Sequence, residues 1–296
     1  MHEEACIESS DLENLRDVWS IGIYSGDSPL RLFPHPKIRN PVLTNLDVTD
    51  IPARFVADPF MVREKNLWYM FFEVLNAGTE RGAIGLAVSR DGLDWEYCRI
   101  VLEEPFHISY PYVFKWQGEY YLMPETLAPG CIRLYRAAPF PTRWSCVASL
   151  LDGHYADPSI VRFDGRWWVF ACTPPGKNET LRLYHSDQLT GRWREHRRSP
   201  IIRGDPHIAR PAGRITLWND KLIRYAQDCH PIYGHHVQAF EITRLTMDDY
   251  REQAADESAV LSPGKDPWNN ARMHHLDPHL TREGEWIACV DGRSMK

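Results

Sequence analysis

The apolar positions of this chain come in short runs, rich in aromatic and β-branched residues and bounded by Gly, Pro, Asn and Asp. Runs of that length and composition predict strands rather than helices. Five segments share one order: an X-Pro step, a short hydrophobic strand, a polar turn, and an aromatic-rich strand. They begin at Asp58-Pro59, Tyr110-Pro111, Asp157-Pro158, Arg210-Pro211 and Asp277-Pro278, with 52, 47, 53 and 67 residues between successive prolines. The turns are Lys65-Asn66, Gln117-Gly118, Asp164-Gly165, Asn219-Asp220 and Glu283-Gly284, pairs that supply the backbone geometry of tight hairpins. An aromatic follows nine residues after proline in the first three units (Trp68, Tyr120, Trp167) and eight after it in the fifth (Trp286).

Third strands follow at Ala83–Ser89, Cys131–Arg136, Leu181–His185 and His236–Ile242, and an aromatic closes each unit: Trp95, Trp144, Trp193 and Tyr250. A period of about fifty residues with four strands is that of a propeller blade. Only five residues follow Asp291, too few for the outer strands of the last unit. The run Asp17–Leu32, containing Trp19–Tyr24, has the composition to complete that blade and close the ring, leaving no free sheet edge. The expectation is an all-β, five-bladed β-propeller forming one domain over residues 1–296. Residues 17–36 supply its closing strands, 1–16 an N-terminal arm, Leu245–Ala255 one short helix, and 256–273 a long connection between blades.

Composition narrows the partners. A net charge of −6 argues against nucleic acid, which needs a basic face. No apolar run approaches a membrane-spanning length and the first residues are acidic, so neither a span nor a secretory signal is expected. Seven cysteines without a Cys-x-x-Cys pair fit reduced thiols and a cytoplasmic setting. Eleven tryptophans suit both inter-blade packing and a sugar-binding cleft. Trp68, Trp167, Trp168 and Trp286 belong by register to the packing, whereas Tyr110, Tyr112, Tyr233 and Trp268 fall on cleft-side strands or loops.

The first strand of each blade lines a propeller's channel, so the residues before the prolines occupy comparable places: Asp58, Tyr110, Asp157, Arg210 and Asp277. A second set ends the second strands: Glu73, Glu125, Cys172, Gln227-Asp228 and Asp291. Glu73, Glu125 and Cys172 each lie 15 residues beyond the first-strand position of their own blade. Convergent carboxylates suit glycosidic chemistry, in which one acid protonates the leaving oxygen and another activates water or attacks the sugar. Crowding also drives their pKa values apart. The plainer reading makes each Asp-Pro step turn punctuation. His107, His154, His207 and His274 sit four residues before their prolines, where the first blade has Phe55. They are either hydrogen-bonded residues of the channel wall or ligands of a divalent cation in the central channel. Asp228 and His230 join the candidate substrate-binding set with Glu73, Tyr110, His107, His154, Arg210 and Asp277. Among the acids, Arg210 serves as counter-ion or grips an anionic part of a ligand.

Asp58-Pro59 and Asp157-Pro158-Ser159-Ile160-Val161 with Asp164-Gly165 resemble the five-bladed glycosidases of glycoside hydrolase families 43 and 32. That resemblance implies Asp58 as general base and Asp157 as the residue tuning and orienting the acid. The family's general acid is a fourth-blade Glu, where this chain has Arg210, so Glu125, Glu73 or Asp228 has to take its place. Of these, Glu125 is the expected donor. A longer resemblance, through Trp19–Tyr24, Phe55–Glu73, Phe106–Glu125, Ile208–Gly213 and Tyr225–Gly234, is to the propeller domain at the N-terminus of glucosamine inositolphosphorylceramide transferase and related bacterial proteins. It implies the fold and a carbohydrate setting. The transferase chemistry of the plant enzyme is attributed to a C-terminal domain outside the matching region. The expected function is therefore carbohydrate-active, with a sugar or glycoconjugate as ligand. Glycosidic cleavage by Asp58, Glu125 and Asp157 stands beside a non-catalytic glycan-binding or partner-docking role, and beside transfer or elimination on a sugar conjugate. Acids across an open cleft favour hydrolysis; acids locked to arginines favour binding or structure.

Overall fold

The computed structural model describes residues 18–295, and the arm expected over 1–16 lies outside them. Five antiparallel sheets succeed one another along the chain. Blade I is built from Ala53–Glu64, Leu67–Asn76, Arg81–Ser89 and Glu96–Leu102; blade II from Ser109–Trp116, Glu119–Glu125, Cys131–Ala137 and Trp144–Asp152. Blade III comprises Ala156–Phe163, Arg166–Cys172, Leu181–Ser186 and Arg194–Glu195. In blade IV the inner strand is broken into Arg210–Pro211 and Thr216–Trp218, followed by Lys221–Asp228, His236–Leu245 and Tyr250–Leu261. Blade V joins Leu276–Leu280 and Trp286–Arg293 to the N-terminal strands Trp19–Ser28 and Arg31–Pro34, with Trp19 opposite Arg293 and Gly26 opposite Trp286. The ring is thus closed by an N-terminal strand, in a five-bladed β-propeller.

The hairpins form where the turn pairs stand: Gln117 and Gly118, Asp164 and Gly165, and Asn219 and Asp220 all have positive φ, the geometry that matches the twist of paired strands. Each sheet is buried on both faces by its neighbours, which explains unbroken apolar runs. Met70, Phe72 and Val74 pack with Ile287 and Cys289 of blade V, whereas Phe71 between them turns toward Tyr112 and Trp144 of blade II. Trp68, Trp167, Trp168 and Trp286 are all buried in such inter-blade layers.

Two expectations fail. Leu245–Ala255 is not helical: it contains a strand end, a turn and the next strand. Thr246 fixes that turn, its amide bonding to the Asp249 carbonyl at 3.0 Å and its hydroxyl accepting from the Asp249 amide at 3.0 Å. Strand Tyr250–Leu261 accordingly takes up the start of the loop expected over 256–273. Among the described residues the one helical element is the 3-10 turn Asn45–Asp47, and no helix is long and apolar enough to cross a membrane.

Candidate functional site

The X-Pro steps of blades I to III do not end strands; they interrupt them. The ladder slips between Ala57 and Phe60, between Ser109 and Tyr112, and between Ala156 and Ser159. At these bulges Asp58, Tyr110 and Asp157 take left-handed φ of 52°, 50° and 47°. Such a conformation costs a non-glycine residue on the order of 1–3 kcal/mol, and a bulge re-aims the side chain that carries it. What offsets the strain is a set of hydrogen bonds between blades. The Asp58 amide donates to Asp291 Oδ2 (3.1 Å), that of Tyr110 to Asp58 Oδ2 (3.3 Å), and that of Asp157 to Glu125 Oε2 (2.9 Å). Each turned-out amide thus finds a carboxyl oxygen.

One half of the resulting acid cluster joins blades V and I. Asp291 Oδ1 accepts from His274 Nδ1 at 2.7 Å and from the amides of His274 and His275. This fixes the His274 tautomer and turns Nε2 toward Asp58 Oδ1 at 3.6 Å, while Trp19 stacks on the ring at 4.0 Å. Glu73 lies nearby, bonded to His107 Nε2 at 3.2 Å; His107 Nδ1 in turn accepts from the Gly82 amide. Burial, then the charges of Asp157, Glu73 and Asp291, push the Asp58 carboxyl well above the usual range. Burial works the same way on Asp291, but the charge and hydrogen bond of His274 prevail and hold it low. His275, fully buried, is lowered to about 4 by burial and stays neutral.

The other half joins blades II to IV. Arg210 Nε donates to Asp157 Oδ2 at 2.6 Å, its NH1 to Asn178 Oδ1 at 2.8 Å, and its NH2 lies 3.7 Å from Glu125 Oε2. Gln227 Nε2 adds a second donor to Asp157 Oδ2 at 2.6 Å, and Tyr233 lies under the guanidinium at 4.8 Å. Burial, then Asp157, raise Glu125 to about 8 against the pull of Arg210, so at neutral pH it carries a proton.

Asp58, Glu73, Glu125, Asp157 and Arg210 therefore come together, and all are recessed. His107, His207 and His230 are exposed, and Tyr233 is half-buried. Buried Asp228 is held apart from the Arg210 cluster by His207 Nδ1 (2.9 Å), His236 (3.5 Å) and the His230 amide (2.9 Å), and the His230 ring leans on His207.

Three expected binding residues are otherwise engaged. Fully buried Tyr110 points across the axis, its hydroxyl accepting from the Gly213 amide at 2.6 Å and sharing a hydrogen bond with Ser159 at 2.8 Å. Asp277 is fully buried, bonded to Arg214 (2.6 Å), His279 (2.8 Å) and the Met61 amide (2.6 Å), so it ties blades together. His154 is exposed and caps the Leu127 carbonyl at 2.9 Å. Tyr110→Phe leaves the Gly213 amide without its partner and is expected to cost about 1–3 kcal/mol in urea unfolding; an unchanged midpoint rules out the axial tie.

Asp58, His274 and Asp291 bring ligand-type atoms within 4.8 Å of one another, the group nearest to the expected channel cation. Asp291, however, already accepts four N–H groups, and one of them occupies His274 Nδ1. The donor set fits an acid–imidazole–acid relay rather than a cation site. His274 and Asp291 stand at repeat positions of the sequence, but nothing local distinguishes them from the other residues of their registers. Asn178 and Arg214 carry no repeat signal, since each stands outside the positions shared by the blades.

Solved structures described as glycoside hydrolases share this five-bladed architecture. An α-L-arabinanase variant from Cellvibrio cellulosa superposes with a TM-score of 0.57 at 17% identity, over 80% of this chain and 90% of that one, a likeness of fold alone. The chain belongs to the family described as glucosamine inositolphosphorylceramide transferase 1, N-terminal, whose model matches residues 12–293. It is 39% identical to the rice (Oryza sativa subsp. japonica) glucosamine inositolphosphorylceramide transferase 1 over 93% of its length. With the Arabidopsis thaliana protein of the same name it shares 36% over 97%. It spans 40% of the length of either relative.

Proposed function

We propose that this chain is a carbohydrate-recognition propeller of glycoconjugate biosynthesis, which holds an amino-sugar headgroup at the axial acid cluster without cleaving it. The observation that carries this reading is the engagement of Arg210 with Asp157 at 2.6 Å and its approach to Glu125 at 3.7 Å. A permanently charged guanidinium stands where a glycosidase of this fold needs a proton donor, and it holds the third-blade acid in an ion pair. Protonated Glu125 both donates and accepts hydrogen bonds, as a sugar hydroxyl requires, and the raised pKa of Asp58 works in the same direction. The names of the plant relatives direct the choice of glucosamine as ligand. A reducing, cytoplasmic setting belongs to the same proposal, supported by the six described cysteines, all free thiols.

Glycosidic cleavage, with Asp58 as base and Glu125 as acid, is the second reading, favoured by the Glu125 pKa of about 8. Against it, burial and the neighbouring acids raise Asp58 as well, which works against its ionisation as a base. Calorimetric titration with glucosamine separates the two. Binding should weaken about ten-fold or more in Asp58→Asn, and a panel of aryl glycosides should show no turnover. Equal binding by the variant overturns the recognition site; turnover abolished by Asp58→Asn establishes the hydrolase.

A further inference from the structure

The strand Arg166–Cys172 runs from the turn end of blade III to the acid cluster, its six steps of about 3.3 Å placing Arg166 about 20 Å from Cys172. At that far end two hollows adjoin, sharing Asp187 and Gln188. The first, about 200 Å³, is lined by Arg166, Arg192 and Arg194 around His185. Three guanidiniums face one carboxylate there, Asp187, which is largely exposed and bonds Arg166 at 2.8 Å. Arg192 and Arg194 have no carboxylate partner among the described residues. The buried His185 turns Nδ1 toward Arg166 at 3.4 Å and so accepts rather than donates. Burial first, then the charges of Arg166, His196 and Arg194, depress its pKa against the opposing charge of Asp187. The second hollow, about 420 Å³, is walled by Trp116, Tyr121 and Trp167, with Trp116 half-buried.

We propose that this two-part groove between blades II and III binds a sugar phosphate, the phosphate among the three arginines and the sugar ring against Trp116. A forked guanidinium matches phosphate oxygens. The Trp116 indole, with the Arg162 guanidinium 4.6 Å from its ring, lies beside the polar groups of Gln188 and Thr190, and together they can serve the sugar ring and its hydroxyls. Asp187 lies where the two hollows meet and occupies Arg166 until a phosphate competes for it. The groove lies at the opposite end of the strands from the acid cluster and goes beyond the function proposed for that cluster.

Calorimetry on the full chain with glucose 6-phosphate, inorganic phosphate and glucose tests this. Glucose 6-phosphate should bind about ten-fold or more tightly than inorganic phosphate, and the Arg192→Ala/Arg194→Ala pair should lose at least that factor for both. Trp116→Ala should remove the advantage of the sugar while leaving inorganic phosphate unchanged, and Asp187→Asn should tighten both. In the unaltered protein, saturating phosphate should raise the His185 pKa followed by NMR, a readout that needs no variant to fold. Absence of binding at millimolar ligand, an arginine pair that binds as wild type, or a His185 titration indifferent to phosphate overturns the proposal.

Discussion

Arg210→Met is expected to destabilise the protein by about 3–5 kcal/mol, the usual cost of removing one member of a buried ion pair. The guanidinium has a side-chain exposure of 12%, against 2% for Asp157 and 9% for Glu125. Without it Asp157 keeps Gln227 as side-chain donor but no counter-charge. The loss comes from the stranded carboxylate rather than from a large net gain in the pair, so relieving the charge should restore stability. The double variant Arg210→Met/Asp157→Asn is accordingly expected to recover more than half of it. Urea unfolding at pH 7 measures both, and a single variant as stable as wild type contradicts the ion pair as the tie between blades III and IV.

Glu125→Gln is expected to act in the opposite direction, stabilising the fold above about pH 5. A carboxyl raised in the folded state favours folding fully below its unfolded pKa, near 4.3, and that contribution is lost as pH rises through the folded value. For Glu125 the folded value is about 8, with burial as the first cause and Asp157 as the second. Wild type should therefore lose up to roughly 1.4 kcal/mol per pH unit across that window relative to the variant, after which the two curves run parallel. Glutamine retains an oxygen to accept the Asp157 amide, so the bulge geometry survives the change. Asp58, raised by burial and by its acidic neighbours, works in the same sense. Asp291, held low by His274, and Asp277, held low by Arg214, act in the other sense, their stabilisation being lost as pH falls. Stability against pH from 4 to 9, read by urea midpoints, should separate wild type from Glu125→Gln only above about pH 5. Coincident curves throughout exclude a protonated Glu125.

Residues 245–255 show where local pattern misleads. Their polar and acidic residues look helical in isolation, but Thr246 closes a turn and the neighbouring strand His236–Leu245 offers a ladder that a helix would leave unpaired. His154 shows the same for chemistry. It shares a repeat position with His107 and His274, yet Leu127 offers it a carbonyl where the others meet carboxylates. The five residues before the prolines likewise share a register and not a role. Asp58 faces an imidazole, Tyr110 ties the axis, Asp157 and Arg210 pair with each other, and Asp277 is taken by Arg214.

By itself the sequence determined the number of blades, most of their strands and the closure by the N-terminal strand. Those features rest on turn pairs, X-Pro steps and two-sided apolar strands, signals that act over a few residues and recur with each unit. The tertiary structure alone decided which acids carry protons, which are neutralised, and that three inner strands bulge through left-handed residues. Those outcomes depend on partners such as Tyr110 and Gly213, or Asp58 and Asp291, that lie 103 and 233 residues apart. Burial and Coulomb interactions are set by distances in space, and only closing the ring fixes them.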